Sequence, residues 1–393
     1  MITRSGCDES GQDAKPIRVV HVSSVHPAND QRILLKECTA LADAGFDVRF
    51  VVPAESDHAV HGVRVCAVRR ARTRWARMTV GLLRVLQGAM RQHAAVYHLH
   101  DPELIPLGFL LKLRGAVVIY DVHEDHSAVL TKHWLPRPTR RPVGLGLALM
   151  EWTAARLFNA VVAATPVIGA RFPPRKTVLV QNFPLLSEFA RSSSVSPYRD
   201  RAAVVTHVGR ISTERAALEI VQAIALLPDR LSARLVMAGM LIPPLQQVDL
   251  ERLPGWKRVE FLGWRPRSDV VALLDGSRVG LCVLRPTVDH IDSQPTKMFE
   301  YMAAGIPVVA SNFPRWRAFV GDTGSGLLVD PLDPHAIAGA LQWLLDHPIE
   351  AEQMGERARV AVQTLFNWEA EAPKLVNLYH RLTGTKRSKT ELN

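Results

Sequence analysis

The stretch Ile17-Arg-Val-Val-His-Val-Ser-Ser-Val-His-Pro-Ala-Asn-Asp-Gln-Arg-Ile-Leu-Leu-Lys-Glu-Cys-Thr-Ala-Leu-Ala-Asp-Ala-Gly-Phe-Asp-Val-Arg-Phe-Val-Val52 decides the fold class. Residues 17–23 are an apolar, β-branched run of strand length, and 24–30 are a polar loop. Residues 31–44 carry the spacing of an amphipathic helix, and 47–52 form a second apolar strand. Asp30 is suited to cap the start of that helix and Gly45 its end. Strand, helix and strand in direct succession is the unit of a parallel sheet covered by helices.

Working outward, residues 95–98, 117–120, 160–164 and 177–180 read as further strands of the same sheet. A polar, serine-rich stretch at 187–201 breaks the pattern and is the expected linker. The pattern restarts with strands at 203–208, 234–238, 259–262, 279–284, 307–310 and 326–329, and a helix at 213–227. Asp333-Pro334 opens another helix, with a capping residue followed by proline at the first helical position. The expectation is two doubly wound α/β domains in series, at 17–186 and 202–365. An extension at 1–16 precedes them, and a helix at 366–382 and a tail at 383–393 follow. Ligands of such sheets bind at the carboxyl ends of strands, so the cleft between the domains is the expected site.

Composition agrees with packed cores. The 393 residues are 47% hydrophobic and 22% charged, and the length exceeds what a single core usually serves. A net charge of +10 favours anionic partners. Residues 64–91 concentrate this charge in eight arginines without a carboxylate, interleaved with apolar side chains. This pattern fits either a solvated amphipathic helix or one that touches an anionic membrane surface. Cys7, Cys38, Cys66 and Cys282 are too widely spaced for a zinc or disulfide framework. The polar start of the chain does not resemble a secretory leader, and no apolar run reaches membrane-spanning length. A cytoplasmic protein is expected, with peripheral contact at the inner face of the membrane left open.

Chemistry concentrates in Asp292-Ser-Gln-Pro-Thr-Lys-Met-Phe-Glu300. Pro295 and Thr296 start a short helix and Gly305 stops it, so free N–H groups and the positive end of the helix dipole face the cleft, where they suit phosphate. Lys297 adds a full charge there. Glu300, one turn on, is placed to accept hydrogen bonds from a ribose, and Asp292 to meet a second polyol. Two histidine motifs follow first-domain strands, Tyr97-His-Leu-His-Asp-Pro-Glu103 and Ile119-Tyr-Asp-Val-His-Glu-Asp125. The first brings forward His100 and Asp101. No His-Glu-x-x-His or Asp-x-Asp pattern occurs, so no metal is expected.

The acids eight positions apart and the sequence Val208-Gly-Arg-Ile-Ser-Thr-Glu-Arg-Ala216 together resemble glycosyltransferase family 4, retaining enzymes of GT-B fold. The resemblance spans 16–382. It implies that Gly209, Arg210 and Arg215 hold a diphosphate with Lys297, that Glu300 binds the donor ribose, and that His123 and Asp292 act at the transferred sugar. Arg215 stands where the family usually has lysine, Ala216 where it has glycine, and Asp292 where it has glutamate. The first loop lacks the family's paired glycines and offers His26, Asn29, Asp30 and Arg32 instead, of which His26, Asn29 and Asp30, with His100 and Asp101, are taken as acceptor-side groups. The implied partners are a nucleoside-diphosphate sugar and an acceptor that is a glycan, a lipid-linked glycan or a small molecule, with no cofactor and no nucleic acid. A nucleotide-sugar epimerase of the same fold, or an inactive nucleotide-sugar binding protein, are the alternatives.

Overall fold

The computed structural model describes residues 15–71, 73, 76–123, 137–190 and 196–385. Glu124 and Asp125 of the second histidine motif, the middle of the serine-rich stretch and nearly all of the two terminal segments lie outside these residues.

Fourteen described strands form two sheets. In the first, β1 (Arg18–Val22), β2 (Asp47–Pro53), β3 (His58–Val60), β4 (Val63–Val68), β5 (Val96–Leu99), β6 (Val117–Val122), β7 (Ala160–Ala163) and β8 (Thr177–Leu179) lie in the order β3-β4-β2-β1-β5-β6-β7-β8. In the second, β9 (Val204–Val208), β10 (Arg234–Ala238), β11 (Val259–Gly263), β12 (Val279–Cys282), β13 (Val308–Ser311) and β14 (Gly326–Val329) lie in the order β11-β10-β9-β12-β13-β14. All pairings are parallel except β3 with β4. Both sheets reverse their winding beside the first strand, between β1 and β5 and between β9 and β12. Crevices open at such reversals, at the carboxyl ends of the strands.

The strands are apolar along their whole length because helices cover both faces. All four residues of β7 and all five of β9 are buried. Helices Leu82–Met90, Ile105–Leu113 and Arg137–Leu157 lie on one face of the first sheet, and their buried residues share one core with Val20, Val22 and Tyr120. The opposite face is covered by residues 33–43 and by the final helix Trp368–Thr383. Trp368, Leu375, Leu378 and Tyr379 of that helix recur at helical spacing and pack with Val19, Phe50 and Val162, so this helix belongs to the first domain. Asn367 caps it, accepting from the Ala370 amide at 2.8 Å. Phe183, Phe189 and Tyr198 pack into the core of the second sheet.

Three local departures from the sequence reading have physical causes. The turn His61-Gly62 takes φ of 49° and 73°, the backbone of a two-residue hairpin, and creates the antiparallel pair β3/β4 that the sequence reading lacks. The helix expected at 31–44 begins as a π-helical stretch, Ile33–Cys38, before Thr39–Asp43; Asp30 still caps it, its Oδ1 accepting from the Arg32 and Ile33 amides at 2.9 Å each. The helix expected at 213–227 is divided at Ala216, whose left-handed φ of 51° separates the turn Thr213–Arg215 from the helix Ala217–Ala225. Ala216 thus adopts the conformation that glycine serves most cheaply.

Candidate active site

The second-domain half of the site is set by a tyrosine. Tyr301 crosses beneath β9 and β12, accepting from the Val208 amide at 3.0 Å and donating to the Leu281 carbonyl at 3.3 Å. It fits because Gly280 has no side chain: a Cβ there would lie 2.3 Å from Tyr301 Cγ. This locks the helix Thr296–Ala303 against the crevice, with Lys297 and Glu300 on its buried side. The loop before it is pinned by Trp316 Nε1, which donates to the Ser293 carbonyl at 2.8 Å. Across the cleft, Gln294 Nε2 donates to Gln181 Oε1 at 2.9 Å.

Around that helix start stand Gly209, Arg210, Arg215 and Lys297. The loops after β9 and β10 nearly touch, since a Cβ on Gly239 would fall 1.6 Å from the Gly209 carbonyl oxygen. Among the described residues neither Arg210 nor Arg215 forms an ion pair with a carboxylate, and the charge of Glu214 acts on Arg215 less than that of Arg210. Burial, and then the charge of Arg210, lowers the Arg215 pKa. Burial also lowers the Lys297 amine to about 7, and Lys297 Nζ lies 3.2 Å from His207 Nε2. Arg215 and Lys297, both with lowered proton affinity beside Arg210, mark a pocket short of an anion. Glu300 is not free in the same way. Its Oε1 meets Arg267 Nη1 at 2.7 Å, and Arg267 also grips Glu188 at 2.7 Å. The sequence reading missed Arg267 because no motif ties a helix 33 residues upstream to Glu300. Asp292 stands apart from Lys297 and Glu300, exposed at the end of the short helix Val288–Ile291, where its charge is felt by Arg315.

The first-domain half is a buried polar cluster behind a loop. His123 follows β6 with its Nε2 3.0 Å from His100 Nδ1. His100 in turn contacts His21, 2.9 Å between Nε2 and Nδ1, and Tyr379 lies between His21 and His98 at 3.1 and 2.8 Å. Arg32 pairs with Asp121 at 3.3 Å and with Glu37 at 2.9 Å. Burial would raise Asp121, but Arg32 and His123 hold it well below the usual carboxylate range. Burial and the neighbouring Asp121 push Glu37 well above that range. Burial lowers His100 to about 4, and His21 and His123 well below the ordinary imidazole value.

The acceptor-side group divides in two. Asp101 is buried and accepts from the Ser23 hydroxyl at 2.8 Å and the Ser24 amide at 2.6 Å, so it braces the loop after β1, with Oδ1 3.7 Å from His26 Nε2. His100 is likewise interior. Asp30 holds His26 at 3.0 Å and caps the following helix. These hydrogen bonds outweigh burial and lower its carboxyl to about 2. His26 and Asn29 line a cavity of about 1120 Å³, with Glu55, Arg69, Arg70 and Arg77 among its other walls. The His26 ring stands 5.5 Å from His123, centroid to centroid, which joins this cavity to the histidine cluster.

Ligand-type atoms of His21, Glu37, His98 and His100 lie within 4.8 Å of one another, as do those of His100, Asp121 and His123. Most of the ring nitrogens are taken up by each other or by Tyr379, and Arg32 already supplies the cation opposite the two carboxylates. The donor set is that of a hydrogen-bonded network.

Residues 189–361 match the family model described as glycosyl transferases group 1. A D-inositol 3-phosphate glycosyltransferase of Corynebacterium glutamicum (strain R) is 33% identical over 186 residues, 45% of this chain and 43% of that protein. The chain therefore spans less than half the length of that relative. Sucrose-phosphate synthase from Thermosynechococcus elongatus superposes with a TM-score of 0.74 at 20% identity, over 94% of this chain and all of the other. Anabaena Alr3699/HepE in complex with UDP and glucose superposes with a TM-score of 0.71 at 16% identity, over 93% of this chain and all of the other. At these identities the structural likeness establishes the fold, the two-domain GT-B architecture.

Proposed function

We propose, from the match of residues 189–361 to the family model described as glycosyl transferases group 1, that the chain moves a sugar from a nucleoside-diphosphate sugar to an acceptor hydroxyl, with retention of configuration and without a metal ion. One observation carries this reading: Arg210, Arg215 and Lys297, with neither arginine ion-paired to a carboxylate among the described residues, surround the start of the helix Thr296–Ala303 beside Gly209. Arginine grips phosphate oxygens through paired hydrogen bonds, and the free amides of the helix start add to them. These groups are oriented before the leaving diphosphate gains charge, so little reorganisation opposes its departure. They serve where another transferase would use a metal. Glu300, paired with Arg267 through Oε1, keeps Oε2 for a ribose hydroxyl. His123 and Asp292 are assigned to the transferred sugar, and UDP with glucose in the Anabaena structure is consistent with such a donor.

The acceptor enters through the cavity beside His26 and Asn29. Arg69, Arg70 and Arg77 outnumber Glu55 there, which favours an acceptor carrying phosphate, the feature named in the Corynebacterium relative. The reading extends to a cytoplasmic protein working at an anionic membrane face. Met78, Val80 and Leu83 are exposed beside Arg77 and Arg84, and Leu145, Leu149 and Trp152 are exposed on a helix of the same layer. No helix among the described residues is long and apolar enough to cross a membrane.

The test is incubation of the purified chain with UDP-, GDP-, ADP- and dTDP-sugars and phosphorylated acceptors in excess EDTA, with products identified by mass. Nucleotide release coupled to acceptor glycosylation is expected. Interconversion of the free donor without any acceptor would replace transfer by epimerisation.

A further inference from the structure

Glu300 pairs with one charged group among the described residues, Arg267, the first residue of the helix Arg267–Asp275, whose Nη1 lies 2.7 Å from Glu300 Oε1. The same guanidinium turns another edge to Glu188: Nε and Nη2 donate to Glu188 Oε2 at 3.1 and 2.7 Å. Its face lies over the Phe189 ring, 5.2 Å from the centroid. Glu188 and Phe189 belong to the turn Leu186–Phe189, in the connection between the two sheets. That turn is fixed without Arg267. Phe189 is buried in the second-domain core, and the Leu186 amide donates at 2.9 Å to Glu369 Oε1 at the start of the final helix.

A guanidinium is a rigid planar fork, so fixing one edge and one face decides where the remaining nitrogen points. With Nε and Nη2 on Glu188 and the face on Phe189, Nη1 is aimed before Glu300 meets it. Glu300 Oε1 then has a set position, and the carboxylate does not turn freely about its last bond. Oε2 makes no ion pair or hydrogen bond among the described residues. Released from Glu188, the same fork would be able to take both oxygens of Glu300 through two parallel bonds, the geometry in which arginine and carboxylate pair most strongly. Glu188 opposes that rearrangement by occupying the Nε/Nη2 edge. Burial would lower the Arg267 pKa, but Glu300 and then Glu188 raise it, so the cation persists. Lys36, from the first domain, is a second cation on which the charges of Glu300 and Glu188 act. Its Nζ donates to Asn182 Oδ1 at 2.8 Å and to the Phe183 carbonyl at 2.7 Å, so it does not orient Glu300.

We propose that Arg267 and Glu188 are positioning residues that set the preference for ribose over deoxyribose: Glu188 holds Arg267 to one oxygen of Glu300, which keeps the other oxygen for the sugar hydroxyls of the nucleotide. The inference rests on the reading above, in which Glu300 accepts from the donor ribose. An oxygen of a buried carboxylate with no other partner is satisfied by a ribose hydroxyl and left bare by a deoxyribose, and leaving it bare is costly. Discrimination between the two sugars therefore depends on an arginine and a connector glutamate that act through Glu300.

The test is calorimetric titration of UDP, GDP and ADP, each beside its 2′-deoxy and 3′-deoxy forms, into the wild type, Arg267→Met and Glu188→Ala. For the nucleotide that binds, the wild type is expected to favour the ribo form over at least one deoxy form by about tenfold or more, the worth of one hydrogen bond to a charged group. Both variants are expected to bring that preference below about threefold by weakening the ribo form, while affinity for the deoxy form changes by less than about threefold. Glu188→Ala leaves Arg210, Arg215, Lys297 and Glu300 in place and covers the case in which Arg267→Met fails to fold. A folded variant that keeps the wild-type preference overturns the proposal. Equal weakening of ribo and deoxy forms also overturns it, because a purely structural role has that effect. A wild type that binds nucleotide without preference, or binds none, removes the ribose reading of Glu300 and this inference with it.

Discussion

At the residue scale, cations beside glycine turns stand out in sequence, and the residues proposed for the donor side, Arg210, Arg215, Lys297 and Glu300, lie together at the crevice. What escaped notice were residues whose partners are distant: Arg267 against Glu300, and His21, His98 and Tyr379 behind His123. The histidines sit inside apolar strands and read there as core. The site makes Lys297 the most informative position. Its amine is lowered to about 7 by burial, so above that pH the unliganded side chain is neutral, and a bound diphosphate raises its pKa again. Nucleotide binding should therefore take up protons, and affinity should fall as pH rises from about 7, measurable by calorimetry in buffers of different ionisation enthalpy. Lys297→Met removes a charge-assisted bond, about 1.5–3 kcal/mol, or about 10- to 150-fold in Kd, and abolishes that proton uptake. Glu300→Ala is expected to weaken nucleotide binding, whereas the exposed Asp292 should affect transfer more than binding when changed to alanine. Steady-state kinetics and titration of both variants separate the two roles.

At the element scale, twelve of the strands follow directly from short apolar runs, because a sheet covered on both faces leaves no polar alternation to obscure them. The hairpin β3/β4 escaped because its turn is His61-Gly62 and not one of the usual asparagine or aspartate pairs, and because β4 is polar at Arg64. The described residues of the basic segment at 64–91 include most of the strand β4, a loop bearing Arg69 and Arg70, and a π-helical stretch Arg77–Gly81 that leads into a helix burying Val85 and Ala89, while Arg72 and Arg74 lie outside the described residues. The helix Thr296–Ala303 depends on Tyr301 passing over Gly280. Gly280→Ala should displace Tyr301 and cost about 1–3 kcal/mol in thermal or urea unfolding, since a Cβ at 2.3 Å cannot be accommodated by rotation of a locked ring. It should also weaken nucleotide binding, because the same ring seats Lys297 and Glu300. A surface glycine such as Gly146 serves as the control.

At the scale of the whole molecule, two sheets of the same winding face one another, and the final helix ties the chain back to the first. The proposed donor site lies on the second domain and the histidine cluster on the first, so the proposed transfer would need both across the cleft. Charge extends the same division outward. Arg69, Arg70 and Arg77 line the first-domain cavity, and exposed apolar residues flank the arginines of the same layer. Binding to vesicles rich in anionic lipid is expected to weaken with salt and to fall when Leu145, Leu149 and Trp152 are changed together to serine. Absence of binding at low salt would restrict the arginines to the acceptor. The central claim is the nucleotide site, and its most direct measurement is calorimetric titration of UDP, GDP, ADP and dTDP into the wild type and Lys297→Met in the presence of EDTA. One nucleotide should bind the wild type without metal and bind the variant at least about tenfold more weakly; no binding by any of the four, or equal binding by both proteins, contradicts the account.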